Sequence, residues 1–246
     1  MPTQLCDFFS SHAAELDFGT ATTQEIAALL PSADMSALNV SWLPMAARAY
    51  QISSDLHDYL IFPVVSIVSD IPNTNGDSVS TTELLRFNTD YGMPSYATFR
   101  AKPIFVEHQN NDKPELAKGV ILDVYLKPLP TFVGNHTKVI KLLAVDRTKD
   151  PQLCEKISAK QVNTTSMGMY YSSYTCSICG NTVGKGSGKL CEHTQPKRKL
   201  YRDTGNRLAY RICHNIVGFE CSVLATYNDP AYVNSIFDHD HILYGK

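Results

Sequence analysis

The chain of 246 residues lacks a charge excess of either sign: Lys and Arg total 22 against 24 Asp and Glu, so nothing global steers it toward nucleic acid or an anionic membrane. It also lacks an apolar run of membrane-spanning length. The longest such stretch, Tyr59 to Val68, is about half of the ~20 residues a spanning helix needs and contains Pro63, so it reads as a buried strand. The opening MPTQLCDFFSSHAAELDF has neither a basic start nor an apolar core, which argues against a secretory signal and for a chain that stays in the cytoplasm. Internal repeats and low-complexity tracts are absent as well. What is present is enough apolar material, 43% of residues, to bury a core of ordinary size, which excludes a disordered protein.

Seven Cys form an odd set, and three of them crowd between Cys176 and Cys191. In a reducing compartment that pattern points to metal ligation rather than to a disulfide framework. The other four, Cys6, Cys154, Cys213 and Cys221, read as small core residues.

The first fifty residues read as helical, with Thr22 and Glu25 placed as a capping box before IAALL and Pro31 ending the run. From Leu60 the character turns to β: LIFPVVSIV, PIFVEH at 103–108, GVILDVYL at 119–126, KVIKLLAV at 138–145 and TTSMGMYYSSY at 164–174. Turn-rich segments, Pro72 to Asp77 and Asn110 to Pro114, separate them. Val120, Leu122, Val124 and Leu126 recur at period 2, which predicts a strand with one packed face and a more polar other face. Asp150 followed by Pro151 predicts a helix start, running through Ile157; Asp229 and Pro230 repeat the signal. The expected fold is α+β: an antiparallel, barrel-like β core with a few peripheral short helices. Residues 1–58 form a mostly helical extension, 59–246 the main domain, and 175–195 an insertion within it.

That insertion carries the strongest local signal. Cys176-Ser-Ile-Cys179-Gly-Asn supplies two thiolates from one turn, and Cys191-Glu-His193 supplies two more ligands after eleven intervening residues. Four soft or borderline ligands in two close pairs suit one tetrahedral zinc with no open position, a structural site with no part in catalysis. The Gly184-Lys-Gly-Ser-Gly188 stretch between the pairs has little to pack without a metal. A redox CxxC beside a surface His193 is the alternative. Lys197-Arg-Lys199 follows directly, but three basic residues without interleaved aromatics make a solvated face, so a nucleic-acid role is not expected.

His108 ends the PIFVEH segment, and Ser166 lies within VNTTSMGM. Alone they would be an ordinary structural histidine and one serine among many. In succession, PIFVEH, a turn, AKGVILDVYL, KLLAVDR, a short helix and VNTTSMGM resemble the prohead proteases of tailed bacteriophages, which are similar in fold to the herpesvirus assemblins. Phe219-Glu220-Cys-Ser-Val-Leu-Ala-Thr-Tyr-Asn-Asp-Pro230-Ala231 resembles that family's Glu-(any)-Ser-(apolar)-Val segment followed by Pro-Ala. The likeness runs from about Pro103 to Ala231. It implies His108 as general base, Ser166 as nucleophile and Glu220 as the acidic third member of a serine endopeptidase, with the zinc knuckle inserted between the last two.

The resemblance further implies a protein that acts inside the assembling prohead in the host cytoplasm, on scaffold or core protein, on the leader of the major capsid protein, and on itself. Self-association is compatible with it; a membrane partner is not expected. A long, charged, helical C-terminal extension is missing, so the scaffold is expected to be a separate protein. The alternative is a structural virion or assembly protein that keeps the fold and the knuckle but no longer cleaves. Asp146, at the end of KLLAVDR, is a second candidate for the acidic member, or else a surface aspartate pairing Arg147 or a lysine. His12, His57 and His136 have no partner pattern, His214 beside Cys213 reads as one end of a strand pair, and Asp238 to His241 is a polar tail.

Overall fold

A computed structural model describes residues 40–108, 113–131, 134–184, 186, 188–194, 201–202 and 207–224. The predicted capping box at Thr22, the Asp229-Pro230 start signal, Cys6, His12, Lys197 to Lys199 and the Asp238 to His241 tail lie outside the described residues. Among those described, the chain opens with helix α1 (Leu43–Tyr50), then strands β1 (Tyr59–Val68) and β2 (Asp77–Ser78) and the one-turn helix α2 (Thr81–Leu85). A small hairpin, β3 (Phe87–Asn88) and β4 (Met93–Pro94), leads through a 3-10 turn at Ser95–Phe99 into β5 (Pro103–Val106). Two long strands follow, β6 (Gly119–Thr131) and β7 (Gly134–Asp146), then helix α3 (Pro151–Ser158) and β8 (Thr164–Tyr170). The rest is β9 (Ser173–Cys176), β10 (Thr182–Gly184), the two-residue strands β11 (Tyr201–Arg202) and β12 (Leu208–Ala209), β13 (Arg211–His214) and β14 (Val217–Leu224).

The fold is α+β and mostly strand. Its main sheet has the order β1-β7-β6-β5-β14-β8, and a second sheet runs β10-β9-β13-β2. The main sheet curls into a half-barrel, and its two edge strands approach where Ser66 Oγ of β1 meets Met167 Sδ of β8 at 3.3 Å. Pairing is antiparallel throughout this sheet except at β5–β14, which is parallel. A parallel pair needs a long connection between its strands, and everything from β6 to β13 supplies it. Pro63 sits in β1, an edge strand, the place in a sheet where a proline is tolerated.

Both faces of the sheet are covered. On one, Tyr59, Ile61, Val120, Leu122, Ile140 and Leu142 pack with Leu43, Ala46 and Ala47 of α1. On the other, Phe62, Val64, Ile104, Ile121, Leu143 and Val223 pack with Leu84, Phe99, Leu153 and Ile157. The described part of the expected N-terminal extension is thus built into the main core. Helix α3 starts as predicted: Pro151 is its first residue, and the Asp150 carboxylate accepts the Leu153 N–H at 3.0 Å.

The predicted period-2 face of β6 does not survive intact. A bulge between Ile121 and Asp123 inserts one residue against β7, so Val120 and Leu122 face α1 while Ile121 and Val124 face the opposite cluster. With both faces covered, the face expected to be polar is buried as well. The segment 164–174, predicted as one strand, is divided: β8 ends at Tyr170 and β9 begins at Ser173 in the second sheet.

Candidate functional site

Two neighbouring strands of the main sheet carry two of the three sequence-predicted catalytic residues, and the third follows the end of the next strand. Ser166 lies on β8, Glu220 on β14 and His108 two residues past the end of β5. Ser222 of β14 stands opposite Ser166, and Glu220 stands opposite Gly168. Directly opposed residues of an antiparallel pair point to the same face, as do residues two apart, so Ser166, Ser222 and Glu220 share one face. Cys221 and Val223, which alternate with them, point into the apolar cluster on the other face.

β5 runs parallel to β14 with Phe105 beside Ser222 and Val106 beside Val223, and the Glu107 N–H extends the ladder to the Val223 carbonyl at 3.2 Å. Glu107 and His108 then both take left-handed backbone, φ 54° and 55°, which turns the chain sharply out of the sheet. His108 emerges exposed, whereas Ser166 and Glu220 are both 5% exposed. The Glu220 Oε2 accepts the Ser222 hydroxyl at 2.7 Å. Burial pushes the Glu220 carboxyl above its ordinary range, opposed by that hydrogen bond and by the charges of Lys141 and His108. Ser222 belongs to the quoted Glu-(any)-Ser motif, yet its bond to the carboxylate two residues back was not legible from the motif alone.

Gly168 has a specific role here. A Cβ at that position would lie 2.3 and 2.5 Å from ring carbons of Phe219 and 2.6 Å from Glu220 Cγ, so only glycine leaves room for both. The Phe219 ring in turn stacks on Tyr170, with centroids 4.3 Å apart.

Asp146, the alternative acidic member, is placed elsewhere. It is buried rather than a surface partner of Arg147, and it is committed to backbone: Oδ2 accepts the Ser53 N–H at 2.7 Å, while Oδ1 accepts from Thr148 N, Thr148 Oγ1 and Lys149 N. It ties the turn after β7 to the segment before β1. Among the other histidines, His57 pairs with Asp55 at the surface, His136 Nδ1 bonds the Ser69 carbonyl, and His214 Nε2 bonds Thr175 Oγ1. The last follows the expected reading, because His214 is paired with Ser173 across β13–β9.

The second cluster lies on the second sheet. Cys176, Cys179, Cys191 and His193 bring their ligand atoms within 4.8 Å of one another, close enough to hold a metal ion. Cys176 ends β9, its Sγ receives the Ile178 N–H at 3.4 Å, and its carbonyl receives the Gly180 N–H at 3.0 Å. Gly180 makes that turn with φ 70°. Cys191 lies 3.4 Å from Thr194 Oγ1. Burial works against ionisation of the Cys191 thiol, but hydrogen bonds from Thr194, Cys176 and His193 outweigh it and bring it down to about 6, while Cys176 is raised. The His193 Nδ1 is buried and among the described residues has no hydrogen-bond partner, which fits a nitrogen able to hold a metal. Three sulfurs and one imidazole nitrogen fit a borderline-soft tetrahedral ion.

Anchors for this cluster were not foreseen from sequence. The Arg211 guanidinium donates to the Thr194 carbonyl at 2.6 Å and stacks over the Tyr174 ring, and Ser177 and Tyr210 exchange hydrogen bonds at 3.0 and 2.9 Å. Cys154, Cys213 and Cys221 are buried in the core, as expected. Compared with known proteins, the chain matches no family model, no curated protein and no solved structure.

Proposed function

We propose that this chain is a serine endopeptidase of the prohead-protease kind, with Ser166 as nucleophile, His108 as base and Glu220 as the acidic member. The observation that supports the reading is strand order: β5, β14 and β8 are consecutive neighbours, so Ser166 and Glu220 share one face of an adjacent pair and His108 follows the end of the third strand. A serine hydroxyl attacks a peptide carbonyl only when a base removes its proton, and an imidazole does so better when a carboxylate fixes its tautomer and stabilises its cation. In this assignment His108 takes the Ser166 proton as the new acyl bond forms, then returns it to the leaving amine. Glu220, held by Ser222, supplies the negative charge.

The cysteine-rich cluster fits a structural zinc. Cys176, Cys179, Cys191 and His193 would complete its coordination, and the ion would cross-link a segment that has few apolar side chains of its own. Scaffold or core protein and the major capsid protein are the proposed substrates and partners, with the assembling prohead as the place of action. A structural virion protein is the second reading, favoured by one observation: the candidate nucleophile is 5% exposed.

Coexpression with scaffold and capsid proteins, read by mass spectrometry, tests the assignment. Wild-type protein is expected to trim them, and Ser166→Ala to lose several orders of magnitude of cleavage with fold and metal content unchanged, His108→Ala being comparable. A Ser166→Ala protein that cuts as well as wild type, or a wild-type protein that cuts nothing where proheads assemble, removes the peptidase reading and leaves the structural one.

A further inference from the structure

The ladder between β8 and β14 is interrupted at the candidate site. Gly218 pairs with Met169 and Glu220 with Gly168, so Phe219 is the extra residue of a bulge. In an unbroken strand Phe219 would face away from Glu220. The bulge turns both side chains onto one face instead, and each occupies space where Gly168 would carry a Cβ. On the opposite face the Phe99 ring fills the equivalent space at Gly218.

Tyr170 extends the surface that Phe219 begins. It is the last residue of β8, two beyond Gly168 and four beyond Ser166, and so on their face. Its ring stacks on Phe219 with centroids 4.3 Å apart and planes 33° apart. Phe219 is half-buried beneath it, while Tyr170 is 62% exposed. A tyrosine that merely finishes an outer strand is solvated without help; this one is held by a bulge, a glycine and a second ring. At ~3.3 Å per residue, the ring over Gly168 lies roughly 7 Å along the strand from Ser166, and Tyr170 roughly 13 Å. A peptide lying extended along β8 with its scissile carbonyl at Ser166 advances by the same step, which brings its side chains two and four residues from the cut over these rings.

We propose, resting on the peptidase reading, that Tyr170 and Phe219 form a specificity platform: a stacked aromatic surface that takes an apolar side chain of the substrate, aromatic or long aliphatic, two to four residues from the scissile bond. Tyrosine suits that task, because it offers a broad apolar face with few rotatable bonds to immobilise and a hydroxyl that tolerates water. Binding energy gained there, away from the reacting atoms, is available to hold the scissile carbonyl against Ser166. The bulge ties the platform to the chemistry, since Phe219 and Glu220 are consecutive residues sharing the space over Gly168.

The test profiles cleavage of a proteome-derived peptide library by the full chain as wild type, Tyr170→Ala and Tyr170→Phe. Wild type is expected to favour Phe, Tyr, Leu or Met over Ala and Gly at one fixed position two to four residues from the cut. Tyr170→Ala should lower that preference about tenfold, and Tyr170→Phe, which keeps the ring, should retain it. A wild type that cuts without such a preference overturns the proposal, as does a Tyr170→Ala protein that keeps it. An overall loss of rate with the preference intact, the mark of a structural role, overturns it equally. A second measurement needs neither cleavage nor a folded variant: NMR of the Tyr170 and Phe219 ring signals while wild type is titrated with N-acetylphenylalanine amide, with N-acetylalanine amide as control. The phenylalanine amide is expected to move both rings and the alanine amide to leave them in place. A library left uncut ends the peptidase reading, and the titration then decides the platform: shifted rings keep it as a seat for an apolar peptide segment, and unmoved rings overturn it.

Discussion

At the scale of single residues, the chemistry of the main sheet depends on what glycine leaves empty. Gly168 faces Glu220 across the β8–β14 ladder, and the space its missing Cβ vacates is filled by the Phe219 ring and by Glu220 itself. The contacts a methyl group would make, 2.3 to 2.6 Å, are shorter than van der Waals separation, and neither neighbour is free to withdraw: the ring is stacked on Tyr170 and the carboxylate is bonded to Ser222. Gly168→Ala is expected to cost ~1–3 kcal/mol of stability, the usual penalty for overpacking, and to lower any cleavage by displacing Glu220. Phe219→Ala in the same chain should return part of that stability by removing one of the two clashing groups. Urea unfolding of the single and double variants measures both effects; a Gly168→Ala protein as stable as wild type would show that the strands spread freely there.

At the scale of elements, the bulge in β6 decides what is buried. The extra residue at Leu122 breaks the alternation, and Asp123 ends fully buried, where Arg100 reaches it with Nε 2.8 Å from Oδ1 while Oδ2 has no hydrogen-bond partner among the described residues. Burial raises the Asp123 carboxyl to about 6 despite the Arg100 charge and the Val124 N–H. An acid whose folded pKa lies above its unfolded value of ~3.9 binds more protons when folded, so its contribution to stability is full below about pH 4 and falls as pH rises toward 6. Wild type is therefore expected to lose about 3 kcal/mol relative to Asp123→Asn between pH 4 and 6.5, two pH units at ~1.4 kcal/mol each. Denaturation series at several pH values would read this, and a constant difference between the two proteins would mean that Arg100 compensates the charge completely. None of it was legible in GVILDVYL, because period-2 counting assumes an unbroken ladder and a bulge is set by the partner strand. The elements with local signals were legible: Asp150-Pro151 caps α3 as read, and the β-rich segments fall on β1, β5, β6, β7 and β8. The grouping of Cys176, Cys179, Cys191 and His193 was legible too, since their spacing is itself the signal. The burial of Lys141 over the Phe99 ring was not legible, because KVIKLLAV carries two lysines and nothing local says which of them the sheet turns onto an aromatic face.

At the scale of the molecule, the two sheets are joined in sequence where β8 runs into β9 and where β13 runs into β14, and the second joint is reinforced from outside the cysteine cluster. Glu83 of α2 accepts the Ile216 N–H at 2.9 Å, Ile216 is fully buried, and β13 pairs with β2 as well as with β9. The cluster has less to hold it. Among the described residues β10 pairs with β9 alone, and the Cys191 to Thr194 segment reaches the sheet through Arg211 on the Thr194 carbonyl and the Thr194 hydroxyl on Tyr174 Oη. Where a metal supplies most of the cross-linking, its binding free energy is the local folding free energy, so removing it should open that region and stop where other contacts take over. Native mass spectrometry is expected to find about one zinc per chain, lost on prolonged chelation and in Cys179→Ser. Hydrogen exchange of the metal-free protein should then accelerate by about tenfold or more, a local opening made ~1.4 kcal/mol easier, at Cys176, Gly180 and Thr194, whose amides bond within the cluster. The amides of β1, β7, β8 and β14 should keep their protection, because both core clusters and the Glu83 joint remain intact. Exchange spreading through the half-barrel on metal loss would show the two sheets to be one cooperative unit, and a metal-free protein whose cysteine segment stays protected would refute a structural metal altogether.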